Sequence, residues 1–367
     1  MPTKKQPKVS ILVPCYNVEK YLPQCLDSAV NQTLKDIEII VINDGSTDST
    51  LDIIKSYAEK DDRIKIIDKK NEGYGKSMNR GLDVATGEYI GIVESDDWVD
   101  TDMFESLVKI ADENNVDVVK SNFYRYTTTG GEKNQKVLML PSHNLNIVIN
   151  PHEETSVFFC APDIWAAIYK RDFLVKNNIR FLESPGASYQ DIGFNFKVLV
   201  CASRAYLTPQ AWLHYRSDNE NSSVKSTGKI FCVCDEFDEI ERFTSERGEL
   251  NTSMKYLIAN LKMWIYIWNM NRLGGDARKQ FMKRFHQEFE QARKNGYIER
   301  SRHDDRAWYN LMLQIYPNNL FYKLMRVLIA LVSPIYKKRL RGFKYVYIIF
   351  DCITIKTVDI PKITIKE

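Results

Sequence analysis

The chain has 367 residues, is 44% apolar and 27% charged, and carries a formal net charge of +3. Its length points to two units or one domain with a long extension, and 17 Phe with 20 Tyr exclude a disordered chain. The 7 Cys include no C-x-x-C pair and no run reaches 18 apolar residues, so neither a zinc site nor a disulfide framework is indicated, and no membrane span is expected.

The first ten residues are basic but lead into no long apolar stretch, so no secretory signal is expected and the protein is placed in the cytoplasm with reduced thiols. Strand and helix signals then alternate, the pattern of a largely parallel sheet with helices on its faces. Residues 9–13 (VSILV) are a short β-rich run of the kind buried on both faces. Pro23 opens a helix with Leu22, Leu26, Ala29 and Val30 on its apolar face. Residues 38–43 (EIIVIN) form a second strand, and Thr47 or Asp48 caps a helix over 49–59. A third strand covers 65–68, a glycine-bearing loop 71–75 and a helix 76–85. A strand over 88–94 runs into Ser95-Asp96-Asp97, followed by a helix over 102–114 and a strand over 117–122.

Residues 127–150 are polar and read as a loop; a helix over 192–201 precedes short strands at 205–208 and 212–216. Past about 228 the period becomes helical. Met254, Leu257, Ile258, Leu261, Trp264, Ile265 and Trp268 keep one helical spacing, and Phe281, Phe285 and Phe289 another. Residues 345–354 and 360–365 read as a terminal β-hairpin. The expected fold class is α/β, with a catalytic domain over 1–228 and a mainly helical extension over 229–367.

In doubly wound sheets, ligands bind beyond the carboxyl ends of the strands. Three polar clusters fall there: Pro14-Cys15-Tyr16-Asn17, Asn43-Asp44-Gly45-Ser46 and Glu94-Ser95-Asp96-Asp97. Asp44 either accepts from a base N–H or a sugar hydroxyl, or closes a turn on its own backbone. Glu94, Asp96 and Asp97 repel one another, which either a hard cation with oxygen ligands or full solvation relieves. The loop 71–75 has neither the dinucleotide fingerprint nor the ending of a P-loop.

Three ordered blocks, VSILVPCYNVEKYLPQCLDSAVNQT, EIIVINDGSTDST and NEGYGKSMNRGLDVATGEYIGIVESDDWVD, resemble family 2 glycosyltransferases with the GT-A fold. The likeness is dense over 8–99 and thin to about 225. It implies a Rossmann-like mixed sheet that binds a nucleotide-diphospho-sugar and uses Mn²⁺ or Mg²⁺. It further implies that Pro14, Tyr16 and Glu19 line the base pocket and that Asp44 meets the uracil. Asn71 and Ser95 join the donor site, and Asp96 holds the metal that bridges the donor diphosphate. Two positions depart from the family pattern. Glu94 stands where Asp is usual, and Met78-Asn79 stands where many relatives carry Arg-Asn, leaving Lys76 or Arg80 for the diphosphate.

The segment 188–194 resembles the one that carries the family's catalytic base, with Gln190 where Glu is frequent and Asp191 as the base; its other reading is a helix N-cap. Asp163 is a second carboxylate to test. The segment 213–219 resembles the strand and loop that close over the substrates. There His214 is either a late metal ligand or locally bonded, and Arg216 and Lys225 are either diphosphate cations or surface residues. The reaction implied is inverting. Asp191 takes the proton of an acceptor hydroxyl as it attacks the anomeric carbon, giving a β-linkage from an α-linked UDP-sugar.

The competing classes are a sugar-phosphate nucleotidyltransferase, whose Gly-rich basic loop near the N-terminus is missing, and a non-catalytic sugar-nucleotide or polysaccharide-binding protein. Charge separates the two halves: residues 1–230 hold 27 Lys+Arg against 32 Asp+Glu, and residues 231–367 hold 24 against 16. Residues 321–344 carry seven cations and no acid around an apolar run at 327–332. This suits a helix lying at an anionic membrane surface, near a lipid-linked glycan acceptor of bacterial surface polysaccharide synthesis. The alternative is a helix packed on the catalytic domain with a charged outer face. Nucleic-acid binding lacks a recognised module.

Overall fold

A computed structural model describes residues 6–187, 189–220, 229–298, 312, 319–332, 336–341, 344–349 and 353–359. The chain divides into two compact units, Met1–Ser226 with Cys234–Ile240, and Thr227–Val233 with Glu241–Glu367.

The first unit is built on one mixed sheet. Its strands are β1 (Val9–Cys15), β2 (Ile37–Asp44), β3 (Ile64–Lys69), β4 (Tyr89–Ile92), β5 (Trp98–Val99), β6 (Val118–Thr127), β7 (Lys133–Val137), β8 (Val148–Ile149), β9 (Ala167–Lys170) and β10 (Ala205–Arg216). They run in the order β3-β2-β1-β4-β9-β6-β10-β5, with β7 added to β6 and β8 to β10. β1 pairs in parallel with both β2 and β4, whereas β9 is antiparallel to β4 and β6. The helices are α1 (Leu22–Val30), α2 (Thr50–Ala58), α3 (Tyr74–Val84), α4 (Met103–Asn114), α5 (Arg171–Lys176) and α6 (Gln190–Cys201).

β1 and β2 are buried along their whole length, as continuous apolar runs in a parallel sheet require. Leu22 and Leu26 of α1 and Phe104 and Leu107 of α4 join Val9, Ile11 and Val13 in one core. One acid lies inside this apolar frame. Glu38 of β2 is 3% exposed, and its Oε1 accepts from Ser10 Oγ, Thr86 N (2.6 Å) and Gly87 N (3.2 Å) while Lys65 holds Oε2. It ties β1, β2 and the turn into β4 together.

Several sequence expectations change. Residues 127–150 contain β7, a strand paired antiparallel with β6, because a polar strand at a sheet margin shows no apolar alternation. The two short strands at 205–216 are one, β10, which keeps pairing with β6 through register shifts around Pro209. The strand expected over 88–94 stops at Ile92, and β9 and α5 are too short to register as periodic.

α7 (Cys232–Glu246), whose residues 234–240 fall in the first unit, leads into α8 (Thr252–Arg272) and α9 (Gly275–Lys294) of the second. Asn251 caps α8 by accepting from Met254 N at 2.9 Å. Tyr266 packs on Phe281 and Phe289 at ring separations of 5.1 and 5.7 Å. Trp264 and Trp268, grouped by spacing with the core face, are instead 60% and 42% exposed. Then follow α10 (Leu320–Val332) and a three-stranded antiparallel sheet, β11 (Tyr336–Arg341), β12 (Lys344–Ile349) and β13 (Ile353–Asp359), where a two-stranded hairpin was expected. Strand formation by the cationic residues 336–341 restricts the helix of the 321–344 stretch to its first part. The strand expected at 360–365 lies outside the described residues. No helix among the described residues is long and apolar enough to cross a membrane.

Candidate active site

Because β1 pairs in parallel with β2 and β4, their carboxyl ends share one edge, and the three polar clusters meet there. The loop after β1 is laced to the loop after β2. Asn17, at φ 51°, accepts from Thr47 N at 2.8 Å and donates its own N–H to Ser46 Oγ at 3.0 Å. Glu19 accepts from Ser49 N at 2.9 Å, and Asp48 accepts from Glu19 N and Thr50 N. Pro14 is buried beneath this surface and Tyr16 stands 51% exposed on it.

Asp44 sits at the end of β2 and is 5% exposed. It accepts from Glu72 N and Gly73 N, both at 2.9 Å, and from Lys69 Nζ. It therefore anchors the loop that carries Asn71, which is exposed. A carboxylate has about four acceptor positions, so one remains on Oδ2. Gly73 (φ 95°) and Gly75 are needed here: a Cβ on Gly75 would lie 2.0 Å from Leu182 O. Met78 is fully buried, and Asn79 bonds Phe181 through both its amide groups. Lys76 is paired with Glu72, whereas Arg80 is exposed.

Beyond β4, Glu94 accepts from the Tyr74 hydroxyl at 2.6 Å. Burial pushes the Glu94 carboxyl up to about 8, and the charges of Asp96 and Asp191 add to this. Ser95 is buried. Asp96 accepts from Asn219 Nδ2 at 2.7 Å, and burial raises its carboxyl above the usual range. Asp97 accepts from Arg216 N at 2.7 Å; its Oδ2 is buried with no hydrogen-bond partner among the described residues.

Arg216 donates to Asp96 O (3.0 Å) and Gln24 Oε1 (2.6 Å), and its guanidinium lies 4.8–5.1 Å from the rings of Tyr21, Trp98 and Tyr126. It braces the acidic loop. His214 is stacked between Trp98 and Tyr124 and bonded to Asn134 and Asp100, so both ring nitrogens have partners.

Asp191 lies in the first turn of α6, after Tyr189 at φ 66°. Tyr189 occupies the cap position, so Asp191 is not the N-cap. Burial pushes its carboxyl up to about 6, with the charge of Asp163 adding and the Ile192 amide and Lys120 opposing. Asp163 itself is buried against Lys120 Nζ at 3.1 Å. Asp191 acts electrostatically on both Glu94 and Tyr74, so α6 brings it to the rim at the end of β4. Tyr74, Asn219 and the bracing role of Arg216 carry no local sequence signal; Tyr74 stands between two glycines. Ser188 and Lys225 lie outside the described residues.

Among the described residues no three His, Cys, Asp or Glu side chains close into a metal cage. Asp96, a carboxylate oxygen donor, is the rim residue whose chemistry fits a hard cation.

These features define a GT-A fold. The profile of glycosyl transferase family 2 matches residues 10–174. The glycosyltransferase EpsJ of Bacillus subtilis is 34% identical over 222 residues, covering 59% of this chain and 62% of the relative. YibD of Escherichia coli is 33% identical, covering 59% and 63%. The chain thus spans about three fifths of the length of these curated relatives. The crystal structure of residues 1–349 of S. aureus TarS covers 96% of this chain and all of its own, with a TM-score of 0.64 and 20% identity; the same TarS fragment has also been solved with UDP-GlcNAc. Residues 10–174 thus match a glycosyl transferase family 2 domain.

Proposed function

We propose that the chain is an inverting glycosyltransferase that moves a sugar from a UDP-sugar to a hydroxyl of a glycan, lipid-linked and destined for surface polysaccharide. The supporting observation is that Asp191, far from the acidic motif in sequence, is near enough for its charge to act on Glu94 beyond β4. The UDP-GlcNAc carried by TarS belongs to the same donor class.

In this reading residues 1–228 are the catalytic domain and 229–367 the extension. Pro14, Tyr16 and Glu19 form the base pocket, and the free acceptor position of Asp44 meets the uracil N–H. Asn71 and Ser95 complete the donor site. Asp96 holds Mn²⁺ or Mg²⁺, which when bound offsets the charge of the departing diphosphate. Asp191 is the base. A carboxyl lifted toward neutrality by burial is better matched to taking a proton than an exposed one. Tyr74 and Asn219 orient Glu94 and Asp96.

The second unit supports a place at an anionic membrane surface. Leu320, Phe321, Leu324, Val327 and Leu328, one stripe of α10, are 52–68% exposed, and 321–344 contains no acid. Flotation with phosphatidylglycerol vesicles should fall when Lys337, Lys338, Arg339 and Arg341 become Ser; unchanged flotation removes this part.

The test of the activity is UDP release from a panel of UDP-sugars, with Mn²⁺ or Mg²⁺ against chelator. Turnover is expected with one or two donors and metal present, abolished in Asp96→Ala and lowered about 10²–10⁴-fold in Asp191→Asn. Full activity in Asp191→Asn overturns the base assignment, and no turnover of any donor overturns the enzyme reading.

A further inference from the structure

Behind the first turn of α6 lies a second carboxyl. Glu236, in the part of α7 that belongs to the first unit, is 0% exposed, and its carboxyl meets the backbone N–H of Gly193. Its Oε2 lies against Gly193, two residues after Asp191, so closely that a Cβ there would sit 2.3 Å away.

The other buried charges around it are matched. Lys120 pairs with Asp163 at 3.1 Å, and Lys197 of α6 pairs with Glu239 of α7 at 2.5 Å. Asp191 and Glu236 form no ion pair among the described residues. A fully buried carboxyl and a partly buried one, without a cation of their own, cannot both ionise cheaply, so one keeps its proton.

We propose that Glu236 is a positioning residue for Asp191: a neutral carboxyl that backs the first turn of α6 and leaves Asp191 the ionised member of the pair. This rests on Asp191 as the base. The two environments divide the roles in that sense, since burial pushes Glu236 up to about 9, with the charge of Asp191 adding, and Asp191 only to about 6. Lys197 and the Gly193 backbone N–H oppose this shift in Glu236, and Glu239 adds to it. Gly193 follows from the same packing, because any side chain there would displace the acid.

The experiment is a carboxyl ¹³C titration of the full chain and of Asp191→Asn, with the Glu236 signal assigned by its loss in Glu236→Gln. Melting temperatures of all three and of the double variant are followed from pH 5 to 10. The Glu236 signal should titrate above pH 7 in the wild type and at lower pH in Asp191→Asn, where the neighbouring charge is gone. A raised carboxyl binds more protons folded than unfolded, so wild-type stability falls relative to Glu236→Gln from about pH 5 to about pH 9, then levels. In the Asp191→Asn background that fall should end at lower pH. Titration in the ordinary carboxylate range, or curves indifferent to Asp191, overturn the proposal. If the amide variant does not fold, Glu236→Asp supplies the assignment. None of these readouts needs turnover, so a chain that transfers no sugar would sink the function without touching this result.

Discussion

The hydroxyl of Tyr74 donates to Oε1 of Glu94 across 2.6 Å, joining the first residue of α3 to the acidic loop beyond β4. Tyr74 also packs edge-on against Phe181, with 5.9 Å between centroids, and Phe181 stacks on Phe194 of α6 at 4.1 Å. One line of aromatic rings thus links the loop held by Asp44 to the helix that carries Asp191. Glu94 is one methylene longer than Asp, and the tyrosine holds that longer side chain in a defined place.

Tyr74→Phe removes the hydrogen bond and keeps the ring. The expected result is a loss of roughly tenfold in kcat/KM for UDP release, from a bond worth about 1–1.5 kcal/mol, with melting little changed. An unaltered kcat/KM would mean that the orientation of Glu94 does not matter to turnover.

The pH profile reports on Asp191. Its carboxyl is raised to about 6 by burial and must be ionised to accept a proton. Log kcat/KM should therefore climb with a slope near one below about pH 6 and flatten above it. A profile flat down to pH 4.5 contradicts this.

Glu38 should make stability depend on pH in the opposite sense to Glu236. Burial works against its charge, but the bonds from Lys65, Ser10 and Thr86 outweigh burial and hold the carboxyl below its usual range. The unfolded chain then binds more protons, so this contribution is complete above the ordinary carboxylate pKa and is lost as pH falls through the folded one. Glu38→Gln should lie below the wild type in urea midpoint at pH 7, with the gap closing toward pH 3. A constant gap would show that the charge of Glu38 contributes nothing.

Gly91 of β4 faces Phe104, and a Cβ there would lie 2.3 Å from the ring. Gly91→Ala should destabilise by about 1–3 kcal/mol through overpacking. Adding Phe104→Leu should return part of that loss in chemical denaturation; losses that simply add would place the strain elsewhere.

The elements legible in the sequence were those with a strong period or a long apolar run: β1, β2, the helices of the front half and the phenylalanine face of α9. Polar β7 and four-residue β9 escaped because pairing partners, not their own pattern, make them strands. Trp264 and Trp268 show the converse, since helical spacing tells which residues share a face but not whether that face is covered. At the rim, the clusters around Asp44 and Asp96 were legible because strand ends and turn residues mark them locally.

By itself the sequence determined the likeness to family 2 over the front of the chain, the strand–helix alternation and the three acidic or polar strand ends, all of which are written in contiguous residues. Only the tertiary structure decided what each acid faces. It bonds Asp44 to the loop it anchors, His214 to Asp100 and Asn134, and Glu94 to Tyr74, and it brings Glu236 of α7 within electrostatic reach of Asp191 of α6. The reason is physical: a carboxyl's proton affinity is set by burial and by neighbouring charge, and both are made by distant segments only when the sheet and its helices close.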